Sequence, residues 1–161
     1  MADATYQPKT YRKQGGDEFV VASGGTLTLE AGATLSSAVA ITSTSASGGV
    51  GYATGAGGAV TQLTNRSTGV TVNAICGAIT TDATSLAAGA EATFTVTNSS
   101  VAIGDVVVAS LRSGATAGTS IPAVTAVAAG SFAITLTNLH ASTADTGASI
   151  INFAVIKAVS A

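Results

Sequence analysis

Residues 93–97 read Thr-Phe-Thr-Val-Thr, and this short stretch determines the fold class. Hydroxyl and apolar side chains alternate there one by one, which is the pattern of a strand with one buried and one solvated face. Ile134-Thr135-Leu136-Thr137 repeats the alternation. Because no stretch of the chain shows a convincing helical period, we predict an all-β protein.

The alternation extends outward from this stretch over residues 59–161, with turn residues about every ten positions. Ala128-Ala129-Gly130-Ser131 lies between two apolar runs and predicts a hairpin turn. Short strands joined by short loops predict an antiparallel, jelly-roll-like β-sandwich domain over 59–161. The predicted strands are Ala59–Thr64, Gly69–Ile75, Ala78–Thr81, Ala92–Asn98, Asp105–Leu111, Ala123–Ala128, Ser131–Thr137 and Ile150–Val159.

A repeat of eight residues precedes this domain. Residues 21–36 divide into VASGGTLT and LEAGATLS, in which Gly24 matches Gly32 and Leu27 matches Leu35. The spacing predicts short strands with tight corners, where glycine supplies the positive φ that other residues resist. One such unit has almost no core, so its leucines must be buried against a neighbouring chain or a following domain. We therefore interpret residues 15–42 as a short, β-solenoid-like assembly segment.

Two further segments complete the organisation. Residues 1–14 lack a helical or strand period, yet they hold Tyr6, Tyr11, Arg12 and Lys13. A solvated, disordered tail is the alternative, but Tyr and Arg are enriched where proteins bind one another, so we favour an extended docking arm. Residues 43–58 are rich in Ser and Gly and predict a linker, with Tyr52 anchoring its far end.

Composition excludes several classes of partner. Only 9% of residues are charged and the net charge is −2, so no basic surface for nucleic acid is expected. No apolar run is long enough for a membrane span, and the opening residues do not resemble a signal peptide, which favours synthesis in the cytoplasm. The single cysteine, Cys76, precludes an intrachain disulfide and reads as a small buried hydrophobe.

Candidate chemistry is sparse. His140 and Asp145 could join a nearby serine in a triad, but serines are so frequent here that a loop histidine is the better interpretation. Asp17 and Glu18 suit a solvated turn better than a calcium site. The threonine tracts fit the outer face of an ordinary sheet better than a flat ice- or sugar-binding array. We predict a protein that is not an enzyme and has no metal or cofactor.

The two halves together resemble the head decoration (cement) and head-fibre proteins of tailed bacteriophages. The resemblance lies in Tyr6-Gln-Pro-Lys-Thr-Tyr-Arg-Lys-Gln-Gly-Gly-Asp-Glu-Phe-Val-Val-Ala-Ser-Gly-Gly and in the stretch from Gly51-Tyr-Ala-Thr-Gly-Ala-Gly-Gly-Ala-Val-Thr-Gln to Ile151-Asn-Phe-Ala-Val-Ile-Lys-Ala. It implies a homotrimer on the virion's capsid surface that clamps the major capsid protein. The implied capsid contacts are Tyr6, Pro8, Lys9, Tyr11, Arg12 and Lys13, and the implied protomer interface comprises Phe19, Val21, Leu27, Leu29 and Leu35.

A tail-fibre or spike component that binds a cell-surface receptor is the alternative. Sugar sites favour exposed aromatic rings for stacking, and Tyr52 is the only tyrosine outside the arm. Tail fibres are also usually much longer than 161 residues. Both observations favour the decoration protein.

Overall fold

The computed structural model describes residues 9–12, 14–16, 18–114, 116 and 120–158. Over these residues the protein is all-β, as predicted, with ten strands and no helix. The chain divides into two units, Met1–Gly49 and Val50–Ala161. The strands are β1 (Thr10–Arg12), β2 (Phe19–Val21), β3 (Gly57–Thr61), β4 (Val70–Thr71), β5 (Cys76–Thr80), β6 (Glu91–Thr97), β7 (Val106–Ser113), β8 (Ser120–Ala128), β9 (Ser131–Asn138) and β10 (Ile150–Ile156).

The second unit is a β-sandwich of two four-stranded sheets. The first sheet has the order β3-β5-β10-β7, and the second has the order β4-β6-β9-β8. Each of the eight predicted strands overlaps an observed one, although only Val70 and Thr71 of the predicted Gly69–Ile75 are paired. The β8–β9 turn falls at Ala129 and Gly130, and Gly130 has the positive φ of 78° that such a tight connection needs.

The sheets are mixed rather than antiparallel throughout. β3 pairs in parallel with β5, and β4 pairs in parallel with β6. From β3 to β8 the chain switches sheet at every connection. These switches bring β3 beside β5 and β4 beside β6 as parallel neighbours, whereas β10 separates β5 from β7 and β9 separates β6 from β8. An all-antiparallel jelly roll does not have this pairing, so the domain is a β-sandwich but not a jelly roll.

The core lies between the two sheets and follows the period-two pattern. On β6, Ala92, Phe94 and Val96 point inward while the intervening threonines are exposed. The rings of Phe132 and Phe153 meet across the sheets with their centroids 5.4 Å apart. The buried apolar side chains include Ile79, Leu86, Phe94, Val96, Phe132, Ile134, Leu136, Ile151, Phe153 and Val155.

Glycine permits the close approach of the two parallel strands in the first sheet. Gly58 of β3 is paired with Gly77 of β5. A Cβ on Gly77 would collide with the carbonyl group of Gly58 and lie 3.0 Å from the Phe153 ring. A side chain at this position would therefore push β3 away from β5 and press on the Phe153 ring of the core.

The first unit contains one hairpin and an extended segment. β1 and β2 pair antiparallel, with Tyr11 opposite Val20 and Arg12 opposite Phe19. All residues from 22 to 56 are described, and no strand occurs among them. The strands expected on both sides of the octad corners therefore do not form within a single chain, because each would need a neighbouring strand to satisfy its backbone groups.

Candidate binding surfaces

The hairpin joins the predicted docking arm to the predicted assembly segment. β1 lies in the arm and pairs with β2, the beginning of the assembly segment. Lys9 extends this contact, since its carbonyl accepts a 2.6 Å hydrogen bond from the Ala22 amide and its ammonium donates to the Gly24 carbonyl at 3.1 Å. The sequence gives no indication of β1, because three residues are too few to show a strand period. Tyr6, Pro8 and Lys13 lie outside the described residues.

The octad repeat is also a structural repeat of its turns. The Gly25 amide donates to the Ala22 carbonyl at 2.8 Å, and eight residues later the Ala33 amide donates to the Glu30 carbonyl at 2.9 Å. The third residue of each turn is a glycine of positive φ, 72° at Gly24 and 87° at Gly32, as in type II turns. The glycine corners predicted from the sequence are therefore confirmed.

The first unit has no core of its own. Among its described residues, 9–12, 14–16 and 18–49, every one is exposed or half-buried. The proposed interface residues Phe19, Val21, Leu27, Leu29 and Leu35 are all exposed, the three leucines by 49–60%. Tyr11 is exposed as well. An apolar surface of this kind on an ordered segment is characteristic of sites that a partner covers.

The two sheets present different outer faces. On the second sheet Thr93 of β6 lies opposite Thr135 of β9, and the two share a 2.8 Å hydrogen bond between their hydroxyl groups. On the first sheet, Cys76 and Ala78 point outward and face Ala154 and Asn152 of β10. Cys76 is half-buried at this outer surface rather than in the core, because Ile79 and Gly77 take the inward positions of β5.

A buried ion pair at one end of the sandwich was not foreseen from the sequence. Arg66 and Asp145 are both buried, and Arg66 Nη1 lies 3.3 Å from Asp145 Oδ2. Arg66 also donates to the carbonyls of Thr84 at 2.5 Å and Gly147 at 2.7 Å, and the Ser120 hydroxyl donates to Asp145 at 2.6 Å. These bonds tie three loops and the start of β8 together, so the pair has a structural role.

His140 occupies a loop, as predicted, and shapes its turn. Its Nδ1 atom accepts hydrogen bonds from the backbone amides of Ser142 at 3.1 Å and Thr143 at 2.8 Å. A catalytic triad needs the opposite polarity, with Nδ1–H donating to the carboxylate. Because the Asp145 carboxylate is engaged by Arg66 and Ser120, these side chains do not form a triad.

A second ion pair lies at the opposite end of β10. Lys157 Nζ lies 2.5 Å from Asp105 Oδ2, and the Ala102 amide donates to the same carboxylate at 2.8 Å. The amide hydrogen bond from Ala102, and next the hydrogen bond from Lys157, lower the pKa of Asp105 below its usual range. The pair fastens the loop before β7 to the end of the sandwich strand β10.

Tyr52 anchors the beginning of the second unit, as expected. Its hydroxyl donates a hydrogen bond to the Val155 carbonyl of β10. The pairing of β10 with β5 ends one residue earlier, at Ala154. With Val50, Ala154 and Ile156 the ring lines a cavity of about 470 Å³. The lining is mostly apolar.

Over the residues that the structure describes, no three His, Cys, Asp or Glu side chains form a cluster that could hold a metal ion. No described helix could cross a bilayer. No protein-family model matches the chain, and neither the curated proteins nor the solved structures include a match.

Proposed function

We propose that this chain is a structural virion protein that binds the outside of a bacteriophage capsid as a homotrimer and stabilises the shell. The observation that carries the proposal is the exposed apolar surface of the first unit's described residues, 9–12, 14–16 and 18–49, in a chain whose second unit has a complete core. Folding orders a segment at a cost of about 1–2 kcal/mol per residue, which burial must offset. A segment whose described residues are all exposed or half-buried fits a role in which partners supply the burial.

Two partners share this surface in the proposal. The hairpin residues Lys9, Tyr11 and Arg12 contact the major capsid protein, because Tyr and Arg combine apolar area with hydrogen-bonding capacity. Leu27, Leu29 and Leu35 are buried between protomers, together with Phe19 and Val21 of β2. Binding only to the assembled lattice favours that lattice by mass action, which is how such a protein would stabilise a shell without catalysis.

Co-sedimentation with undecorated phage heads tests the proposal. We expect saturable binding of the intact protein and loss of binding in a Tyr11→Ala/Arg12→Ala variant. Point substitutions are preferable to removal of residues 1–14, because that deletion would also remove the partner of β2. Thr95→Ala, on the outer face of the second sheet, is the matched control and should bind like the wild type. Absence of binding by the intact protein would falsify the capsid role.

A tail component that binds a cell-surface receptor is the second candidate. The exposed ring of Tyr52 beside a cavity is the observation that favours it. Sugar recognition also requires several convergent hydrogen-bonding groups, whereas the Tyr52 hydroxyl is already bound to Val155 and the cavity lining is apolar. A glycan array probed with the intact protein distinguishes the candidates, since only the tail role predicts specific retention.

A further inference from the structure

One edge of the sandwich presents a regular row of free backbone groups. β3 is a terminal strand of the first sheet, and Gly57–Thr61 pair with β5 without a register shift. Alternate residues of a strand direct their amides and carbonyls to opposite sides. Because the Gln62 amide, next along the chain, donates to the Thr80 carbonyl, Ala59 and Thr61 direct their backbone groups away from β5. We call this side of the strand the β3 edge.

The other three sheet edges carry features that discourage the addition of a strand. β4 consists of only two residues, Val70–Thr71. β8 contains Pro122, which has no backbone donor, and its pairing with β9 shifts register between Val124 and Ala126. β7 carries the charged Arg112, and its pairing with β10 also shifts register. Short strands, prolines, bulges and charges are the usual means by which proteins protect an edge.

β3 has none of these protections except moderate length. Its sequence, Gly-Gly-Ala-Val-Thr, contains no charge and no proline, and its pairing with β5 is regular. An uncharged, regular edge is a template on which another extended segment can form a strand. Such an edge invites uncontrolled association unless one particular segment covers it.

The octad repeat contains an extended segment with the matching requirement. Residues 26–29, Thr-Leu-Thr-Leu, lie between the two glycine turns and belong to no strand. Their amides and carbonyls form no hydrogen bond with the described part of the chain. The segment is uncharged, as β3 is, so the two can approach without like-charge repulsion.

The side chains of the segment match the two faces of β3. Val60 packs against the core, whereas Ala59 and Thr61 are exposed on the outer face. A strand added at the β3 edge continues both faces, because its side chains alternate in the same way. In one register Leu27 and Leu29, 59% and 49% exposed in the single chain, extend the apolar inner face. The intervening threonines then extend the outer face.

The single chain leaves both partners unpaired, which favours addition between copies. In it β3 terminates its sheet, and residues 22–56 contain no strand. A segment of one copy on the β3 edge of the next is a heterologous contact, and a rotation that closes after three copies gives a three-fold ring. Pairing of β3 with β3 of another copy would give a two-fold dimer instead. The segment-to-edge contact is therefore the one that suits a homotrimer.

We propose that the β3 edge binds residues 26–29 of a second copy of this chain as an additional strand of the first sheet. This inference rests on the homotrimer of the proposed function and assigns a contact between its protomers. Each protomer donates one segment and accepts one. The turns at Gly24 and Gly32 delimit the segment that is donated.

A proline at Ala59 tests the β3 edge without removing a core side chain. The Ala59 amide points away from β5, so Ala59→Pro removes a free donor and places its ring on the open edge. The variant should remain folded by circular dichroism and should self-associate at least about tenfold more weakly in sedimentation, since it loses interchain hydrogen bonds. Ala59→Thr keeps the amide at the same exposed position, so this matched control should sediment like the wild type.

Hydrogen exchange of the intact wild type identifies the occupant of the edge. The amides of Ala59, Thr61 and residues 26–29 should become protected together as the protein concentration rises through the dissociation constant. A synthetic peptide of residues 21–36, in excess, should protect the β3 amides and lower the mass of the oligomer. The same peptide with Leu27→Pro and Thr28→Pro removes amides of both orientations and should do neither.

Three outcomes would overturn the inference, and they are distinguishable. If Ala59→Pro associates like the wild type, the homotrimer stands but the β3 edge is not its contact. If that variant also fails to co-sediment with undecorated phage heads, the edge receives a strand of the capsid instead of a second copy. If the wild type is a monomer at every concentration and its β3 amides are protected, the edge is covered within one chain, and the homotrimer of the proposed function fails as well.

Discussion

The two units of this chain use similar side chains to opposite effect. Phe132 of the sandwich is 2% exposed, whereas Phe19 of the hairpin is 58% exposed. Both residues belong to β-strands, and in both units glycines of positive φ form the turns. The sandwich strands pair within two four-stranded sheets, and the two sheets enclose a core between them. The β1–β2 hairpin has only two strands, too few for independent stability in water. Apolar residues therefore stabilise a fold only where enough neighbouring residues surround them.

The largest difference between the units is expected for paired phenylalanine substitutions. Phe132→Ala removes a ring that bridges the two sheets and should lower the free energy of unfolding by about 4 kcal/mol, through lost burial and the cavity left behind. Phe19→Ala should change it by less than about 0.5 kcal/mol in the dissociated protein and should instead weaken self-association. Urea unfolding followed by circular dichroism measures the first effect and sedimentation the second. Equal losses of stability would remove the distinction between the units.

A paired test of carboxylates should give the next largest effect. Asp145→Ala leaves Arg66 buried without its carboxylate and should destabilise the sandwich by about 3 kcal/mol. Glu30→Ala, in an exposed turn of the first unit, should change the unfolding free energy by less than about 0.5 kcal/mol. Thermal unfolding of both variants checks this. A double variant, Arg66→Met/Asp145→Leu, should recover part of the loss, and failure to do so would show that the loop contacts of Arg66 matter more than its charge.

Two glycines of similar backbone geometry, one in each unit, allow a comparison in which the expected change in stability is smaller. Gly130 has a φ of 78° and Gly32 a φ of 87°, and a Cβ on either would meet no atom within 4 Å. Alanine at each position therefore costs only the backbone strain, about 1 kcal/mol. Gly130→Ala should lower the stability of the sandwich by that amount. Gly32→Ala should leave urea unfolding unchanged and weaken self-association, as measured by sedimentation. An equal shift in the urea midpoint would mean that the two units unfold together.

The smallest effect is expected for Asp105, whose ionisation makes the stability of the sandwich depend on pH in the acid range. The pKa of Asp105 is lowered in the folded protein, first by the Ala102 amide and next by Lys157, so the carboxylate adds stability above its unfolded pKa of about 3.9. That stability is lost as the pH falls through the lower, folded pKa. Asp105→Asn should therefore be less stable than the wild type at pH 7, and the difference should shrink toward pH 2. Melting temperatures across this range measure it, and a constant difference would contradict the assignment.

Local pattern was sufficient for much of the fold. The alternation in β6 and β9 predicts strands because side chains on a strand must point to opposite faces. Gly24, Gly32 and Gly130 predict turns because positive φ is unfavourable for other residues. Both are properties of a few consecutive residues, so they can be read without knowing which strands pair.

The features that were missed are non-local. Arg66 and Asp145 are 79 residues apart in the chain, and neither has a neighbour that indicates the other. The outward position of Cys76 depends on the register of β5 with β10, and the parallel pairs depend on the chain's passages between sheets. Each requires the partner strand to be known, and a shift of one residue would reverse every side chain's direction.

The features of the candidate binding surfaces also divide into those that local sequence predicts and those that depend on the folded structure. Periodicity and backbone sterics were enough to predict, before any strand pairing was known, that the chain is all-β, that its second part supplies the strands of a sandwich, and that the octads turn at their glycines. The exposure of the octad leucines in a single chain and the outward position of Cys76 could be read only from the folded structure. Burial depends on which side chains surround a residue once the strands have paired, and that is a property of the whole fold.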